Sequence, residues 1–243
     1  MIVRKSSERG HANHGWLDSY HSFSFGRYID RNWMGYSALR VINEDVIAPG
    51  QGFGMHSHDN MEIITVILQG ELAHKDSLGN VETIKQGQVQ RMTAGTGITH
   101  SEFNASDTDY VHLLQIWITP NQQGLSPGYE DGFFSDAQKH NQWCLLASEK
   151  ASNGALKIHQ DMQLFSSSLS ERNQLQFALI EDRTAYLHVA SGSIEVASKQ
   201  LNAGDAAMFD ATMFDATELI QITAHKDAEI LLFDLPKINN LGV

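Results

Sequence analysis

Gly50-Gln51-Gly52-Phe53-Gly54-Met55-His56-Ser57-His58 places a His-x-His pair behind three spaced glycines. A second stretch, Gly97-Ile98-Thr99-His100-Ser101-Glu102, carries His-x-Glu, with His100 lying 42 residues beyond His58. Residues two apart on a β-strand point to the same face. Each pair can therefore aim two side chains at one point from neighbouring strands. Three imidazoles and one carboxylate suit a first-row transition metal and leave solvent positions over for chemistry.

The surrounding sequence reads as strands too. Ile63-Ile64-Thr65-Val66-Ile67-Leu68 stops at Gln69-Gly70, Leu113-Leu114-Gln115-Ile116-Trp117-Ile118 at Thr119-Pro120, and Ile230-Leu231-Leu232-Phe233-Asp234-Leu235 at Pro236. These runs are short, rich in β-branched and aromatic residues, and bounded by turn formers. Helical periodicity is scarce, and Asp136 to Ser148 is the best helix candidate. The fold class expected is all-β, of sandwich or barrel type.

Gly124-Leu125-Ser126-Pro127-Gly128-Tyr129-Glu130-Asp131-Gly132 has linker composition and divides the chain near its middle. Domains are expected at residues 1–132 and 133–243. A faint repeat relates them. Leu68-Gln69-Gly70-Glu71-Leu72 resembles Ala190-Ser191-Gly192-Ser193-Ile194, and Gly87-Gln88-Val89 is echoed by Gly204-Asp205-Ala206. Two related β-barrels in tandem is the reading. Carried over without gaps, the positions of His56 and His58 fall on Ala178 and Ile180, and those of His100 and Glu102 on Thr217 and Leu219. One metal site, in the N-terminal half, is expected.

Composition sets further bounds. The chain has 243 residues, 42% hydrophobic and 19% charged, which fits a globular protein with a substantial core. Its net charge of -12, with no Lys/Arg cluster, argues against direct nucleic-acid binding. Cys144 is the one cysteine, so no intrachain disulfide can form. Neither a signal-peptide core nor a membrane-length apolar run is visible, and a cytoplasmic monomer is expected.

Glu62 complicates the choice of carboxylate. It lies four residues after His58, and spacing alone leaves Glu62 and Glu102 both open as ligand, or as the acceptor that fixes an imidazole tautomer. His11, His14 and His21 read as structural hydrogen-bonders. Trp16, Trp33 and Trp117 read as core aromatics, Cys144 as buried packing, and Asp205 as a turn residue.

Gly-x5-His-x-His-x3-Glu resembles the first cupin motif. More closely, the chain resembles the pirin family, through Arg9-Gly10, His14-Gly15-Trp16-Leu17, Ser22-Phe23-Ser24-Phe25, His56-Ser57-His58-Asp59-Asn60-Met61-Glu62 and Met92-Thr93-Ala94-Gly95-Thr96-Gly97-Ile98-Thr99-His100-Ser101-Glu102. Gln115-Ile116-Trp117-Ile118 and Lys157-Ile158-His159-Gln160-Asp161-Met162 are similar to the bacterial pirin-like quercetin 2,3-dioxygenases. Ser57 stands where many pirins have proline, a change that removes no ligand atom.

The resemblance implies a bicupin of two jelly-roll barrels, with Fe(2+) held in the N-terminal barrel by His56, His58, His100 and Glu102. Ligand chemistry alone also admits Ni, Co, Mn, Cu or Zn. It implies oxidative cleavage of a flavonol such as quercetin by O2 with release of carbon monoxide. Glu102 would be both ligand and candidate base, and Glu62 an unliganded group in or near the ligand shell. The alternative it implies is non-enzymatic: an iron-dependent, redox-sensitive partner of other proteins, including transcription regulators.

Overall fold

A computed structural model describes residues 1–210 and 219–237. The chain divides into two compact units. One comprises Gly10–Phe133 with Leu156–Gln160; the other comprises Met1–Arg9, Phe134–Ala155 and the described residues from Asp161 onward. The chain therefore passes between units more often than one cut near residue 132 would require. Both units are built almost wholly of strands, as the sequence predicts. Among the described residues no helix is long and apolar enough to cross a membrane.

The unit containing the histidine pairs is two antiparallel sheets. Seven strands run in the order Gly128–Phe133, Gln88–Thr93, Glu62–Gln69, Val111–Ile118, Leu39–Ile47, Leu17–His21, Gly10–Asn13. Four strands run in the order Gly52–His58, Ile98–Asn104, Glu71–Asp76, Val81–Lys85. Leu17, Ile47, Ile67, Val111 and Leu113 of the larger sheet share one buried cluster with Leu72 and Ile84 of the smaller. Period-2 alternation supplies these inward side chains, and their burial fixes the register of both sheets.

In the other unit, Ile2–Arg4 pairs with Ala206–Asp210, which pairs with Arg183–Val196, followed by Ile220–Pro236, Gln163–Leu169 and Cys144–Ser148. Register shifts between Val189 and Ile194 bend the longest pairing, so that Leu187, Val189, Ile194 and Val196 reach the same core as Ile222, Ile230 and Leu232. The repeat is visible at its glycines. Gly70 (φ 80°) lies against the backbone of Tyr110 and Val111, and Gly192 (φ 77°) against that of Asp227 and Ala228. A side chain at either would strike the neighbouring strand and strain the backbone.

Three sequence readings need correction. The helix predicted from Asp136 to Ser148 ends at Lys139. Asn141 takes a left-handed conformation (φ 54°), and Cys144–Ser148 is a strand paired to Gln163–Leu169. The linker is only partly a linker, because Gly128–Phe133 forms an edge strand on Gln88–Thr93. Trp16 and Trp117 do pack against buried clusters, but each is half-buried and also forms part of the cavity wall. Cys144 is buried, as expected. Asp205 does sit in a turn, and it also anchors the first residues by accepting from Lys5 Nζ at 2.9 Å and Ser6 N at 2.7 Å.

Candidate metal centre

The smaller sheet supplies every residue of the histidine pairs. His100 sits opposite His56, Ile98 opposite His58, and Glu102 opposite Phe53. Two residues on one strand thus span three on the other, a bulge that re-aims the side chains beside it. Gly52 permits the close pairing there: a Cβ at this position would collide with the Glu102 carbonyl oxygen. This gives the middle glycine of the motif a physical role.

The three imidazoles converge. Ring centroids lie 4.4 Å apart for His56 and His100, 4.8 Å for His56 and His58, and 5.0 Å for His58 and His100. Their ligand nitrogens all fall within 4.8 Å of one another. His56 Nδ1 is held by the Gly54 carbonyl at 2.8 Å, which leaves Nε2 for the centre. His58 Nε2 and both nitrogens of His100 are buried without a hydrogen-bond partner. Burial is expensive for such atoms unless something binds them. Burial, then the neighbouring His56 and His74, pushes His100 down to about 3; burial, then His100 and His56, pushes His58 down to about 4. Both are therefore neutral at pH 7 and keep a lone pair for a cation. The donor set fits a divalent transition metal.

Glu102 is 2% exposed. Its Oε1 accepts from Gln90 Nε2 at 2.7 Å and its Oε2 from Gln115 Nε2 at 2.8 Å. Both amides come from the larger sheet, so one sheet presents the carboxylate and the other orients it. The cluster of potential ligands that includes Glu102 is formed with His100 and His74, so Glu102 shares His100 with the three-histidine cluster but does not itself fall in that cluster.

Glu62 lies elsewhere. It is fully buried and accepts from Thr93 Oγ1 at 3.1 Å, with His159 Nδ1 3.1 Å from its other oxygen. Burial raises its pKa, against the pull of Thr93, Arg91 and His159. It belongs to neither cluster of potential ligands and is absent from the cavity wall.

Sequence reasoning missed two residues. His74 is buried opposite Glu102 with Nε2 3.2 Å from Asp76 Oδ2, and the alternation Leu72-x-His74-x-Asp76 was its available signal. His159 reaches Glu62 across 97 residues of chain, a separation at which no local pattern operates. No cluster of three potential metal ligands occurs in the other unit among the described residues. Ile180, one of the positions matched to the histidines, is exposed, and Thr217 lies outside the described residues.

A cavity of about 1140 Å³ opens onto the site, with His56, His58 and Glu102 in its wall. Trp117 stands edge-on to His58 at 4.9 Å and to Phe25 at 5.4 Å, and Trp16 meets Phe53 at 5.4 Å. His11, His14 and His21 also line it, and two of them hydrogen-bond as the sequence reading expects, His11 to Asp18 at 2.6 Å and His21 to Asn43 at 2.8 Å.

Known proteins resemble the chain along its whole length. A family model described as Pirin matches residues 2–118, and one described as quercetinase C-terminal cupin domain matches residues 145–235. A quercetin 2,3-dioxygenase of Escherichia coli (strain K12) is 47% identical over 238 residues, covering 98% of this chain and 100% of that protein. A pirin-like protein of Caulobacter vibrioides is 39% identical, covering 96% and 99%. The crystal structure of the bacterial pirin YhhW from Escherichia coli in complex with nickel(II) superposes with a TM-score of 0.90 at 45% identity, covering 98% and 99%. The bicupin architecture implied by the family resemblance, and the tandem β-barrels read from the repeat, agree with these matches.

Proposed function

The chain belongs to the pirin family, and on that premise we propose that it is a metal-dependent dioxygenase that opens the heterocyclic ring of flavonols such as quercetin and releases carbon monoxide. One observation carries the reading. Three imidazoles converge, two of them neutral at pH 7 with buried unpartnered nitrogens, near an oriented carboxylate and at the wall of a cavity large enough for a three-ring substrate. The names of the relatives support the same reaction class.

His56, His58, His100 and Glu102 would hold one ion, Fe(2+) by first choice, in the Gly10–Phe133 unit. A divalent ion held by three neutral imidazoles and one carboxylate would keep net positive charge, and the chemistry it would supply is acidification of a chelating hydroxyl and activation of the resulting anion toward O2. The chain's own residues do the rest. The aromatic wall of Phe25, Phe53 and Trp117 stacks on the substrate and excludes water. Glu102 is the candidate base for the substrate's hydroxyl proton, and Gln90 and Gln115 keep its carboxylate in one orientation. Glu62, tied to Thr93 and His159, supports the strands behind the site and takes no proton from substrate.

The test is direct. Protein loaded anaerobically with Fe(2+) should shift the visible absorption of quercetin. On admission of air it should consume O2 and release carbon monoxide, and both should vanish in His100→Ala. Loaded protein that binds quercetin no better than metal-free protein would overturn the reading.

A further inference from the structure

One face of the cavity carries a row of buried polar side chains on core-facing strand positions. On the strands Leu17–His21 and Leu39–Ile47, Leu17 and Ile47 point into the core between the sheets. Further along the same faces stand Ser19 opposite Asp45 and His21 opposite Asn43. All four are buried, at 2–6% exposure, and all four line the cavity. Buried polar groups at core positions cost stability unless they are satisfied or used.

Hydrogen bonds within the group satisfy only part of it. Ser19 Oγ donates to Asp45 Oδ1 at 2.5 Å, and His21 Nδ1 lies 2.8 Å from Asn43 Oδ1. These bonds leave Asn43 Nδ2, a donor, and Asp45 Oδ2, an acceptor, for whatever fills the cavity. A phenolic hydroxyl both accepts and donates, so it can use this pair.

The spacing from the metal-binding residues is set by the sheet. Gln115, which binds Glu102, sits opposite Asn43, and Asn43 sits opposite His21. Adjacent strands lie about 4.8 Å apart, so the row reaches about 10 Å from Gln115 to His21. A planar substrate chelated beside Glu102 would lay its far ring along this row.

We propose that Asn43 and Asp45, held in place by His21 and Ser19, form a hydroxyl-reading face that selects aromatic chelators hydroxylated on the ring remote from their chelating oxygens. The proposal rests on the flavonol reading above and specifies how substrates are distinguished. Trp117 and Phe53 contact any aromatic ring; Asn43 and Asp45 discriminate by hydrogen bonding.

The experiment is an anaerobic absorption titration of iron-loaded full-length protein with quercetin and with 3-hydroxyflavone. The two ligands share chelating oxygens, and only quercetin carries further hydroxyls. After division by the ratio for free Fe(2+), wild-type protein should favour quercetin by about 10- to 100-fold, the contribution expected of two hydrogen bonds. Asn43→Leu and Asp45→Leu should lose that preference while keeping metal content and affinity for 3-hydroxyflavone. If a leucine variant fails to fold, the near-isosteric Asp45→Asn and Asn43→Asp, which exchange donor and acceptor, should still reduce the preference. Binding of neither flavonol would overturn the dioxygenase reading and this inference with it. Binding of both with no preference, or a preference that survives the substitutions, would overturn this inference alone.

Discussion

Gln90 Nε2 lies 2.7 Å from Glu102 Oε1, joining the strand Gln88–Thr93 of the larger sheet to Ile98–Asn104 of the smaller. Gln90 is itself fixed, because Nε2 also donates to Thr65 Oγ1 at 3.0 Å and Oε1 accepts from Tyr129 Oη at 3.3 Å. The carboxylate proposed to bind metal is thus oriented by residues of the larger sheet, none of which is itself a candidate ligand.

Removing that support should weaken metal binding without removing a ligand. Gln90→Leu and Gln115→Leu should each lower affinity about 10- to 100-fold, the usual effect of losing a ligand's orienting partner. Competition with a chelator of known affinity measures this. Unchanged affinity in both would show that Glu102 needs no orientation from the larger sheet.

His56→Ala and His100→Ala should abolish stoichiometric metal loading and leave the fold intact. The core of Leu17, Ile47, Leu72 and Val111 contains no metal-binding side chain, so the scaffold does not depend on the ion. Melting temperatures should match that of metal-free wild-type protein within a few degrees. A variant that emerges unfolded would make the site structural.

The two glutamates should separate. Glu102→Gln should weaken metal binding and remove turnover. Glu62→Gln should keep its metal and cost about 1 kcal/mol of stability through a weaker bond to His159. Elemental analysis and thermal melts of the two variants decide it, and the reverse pattern would make Glu62 the ligand.

Asp45 gives metal-free protein a specific pH dependence. Burial, and to a lesser degree the charge of Glu102, lifts its pKa from 3.8 to about 7 against the bond from Ser19. The folded value lies above the unfolded one. Its stabilising contribution is therefore complete below about pH 4 and is lost as pH rises through 7, on the order of 4 kcal/mol in all. Asp45→Asn removes the dependence, so its stability relative to wild type should climb between pH 5 and pH 8. Parallel denaturation profiles for the two proteins would contradict the shift.

The sequence determined what short-range periodicity can carry. Short β-branched and aromatic runs bounded by turn formers identified the strands Glu62–Gln69 and Val111–Ile118, and a strand carries a side-chain period of two. The same period put His56 with His58, and His100 with Glu102, on shared faces. The glycines at 70 and 192 disclosed the repeat, since both face a neighbouring backbone at positive φ. Local composition misled where long-range pairing outweighed it: at Gly128–Phe133, captured as an edge strand, and at Cys144–Ser148, where pairing to Gln163–Leu169 replaced a helix. Only the tertiary structure separated the carboxylates. Glu62 and Glu102 are alike in residue type and both follow a histidine closely, but the strand from Glu62 to Gln69 joins the larger sheet and the strand from Ile98 to Asn104 the smaller. Sheet membership turns one toward Thr93 and His159 and the other toward Gln90, Gln115 and the histidine cluster. Which sheet a strand enters depends on contacts far along the chain, and no local pattern records it.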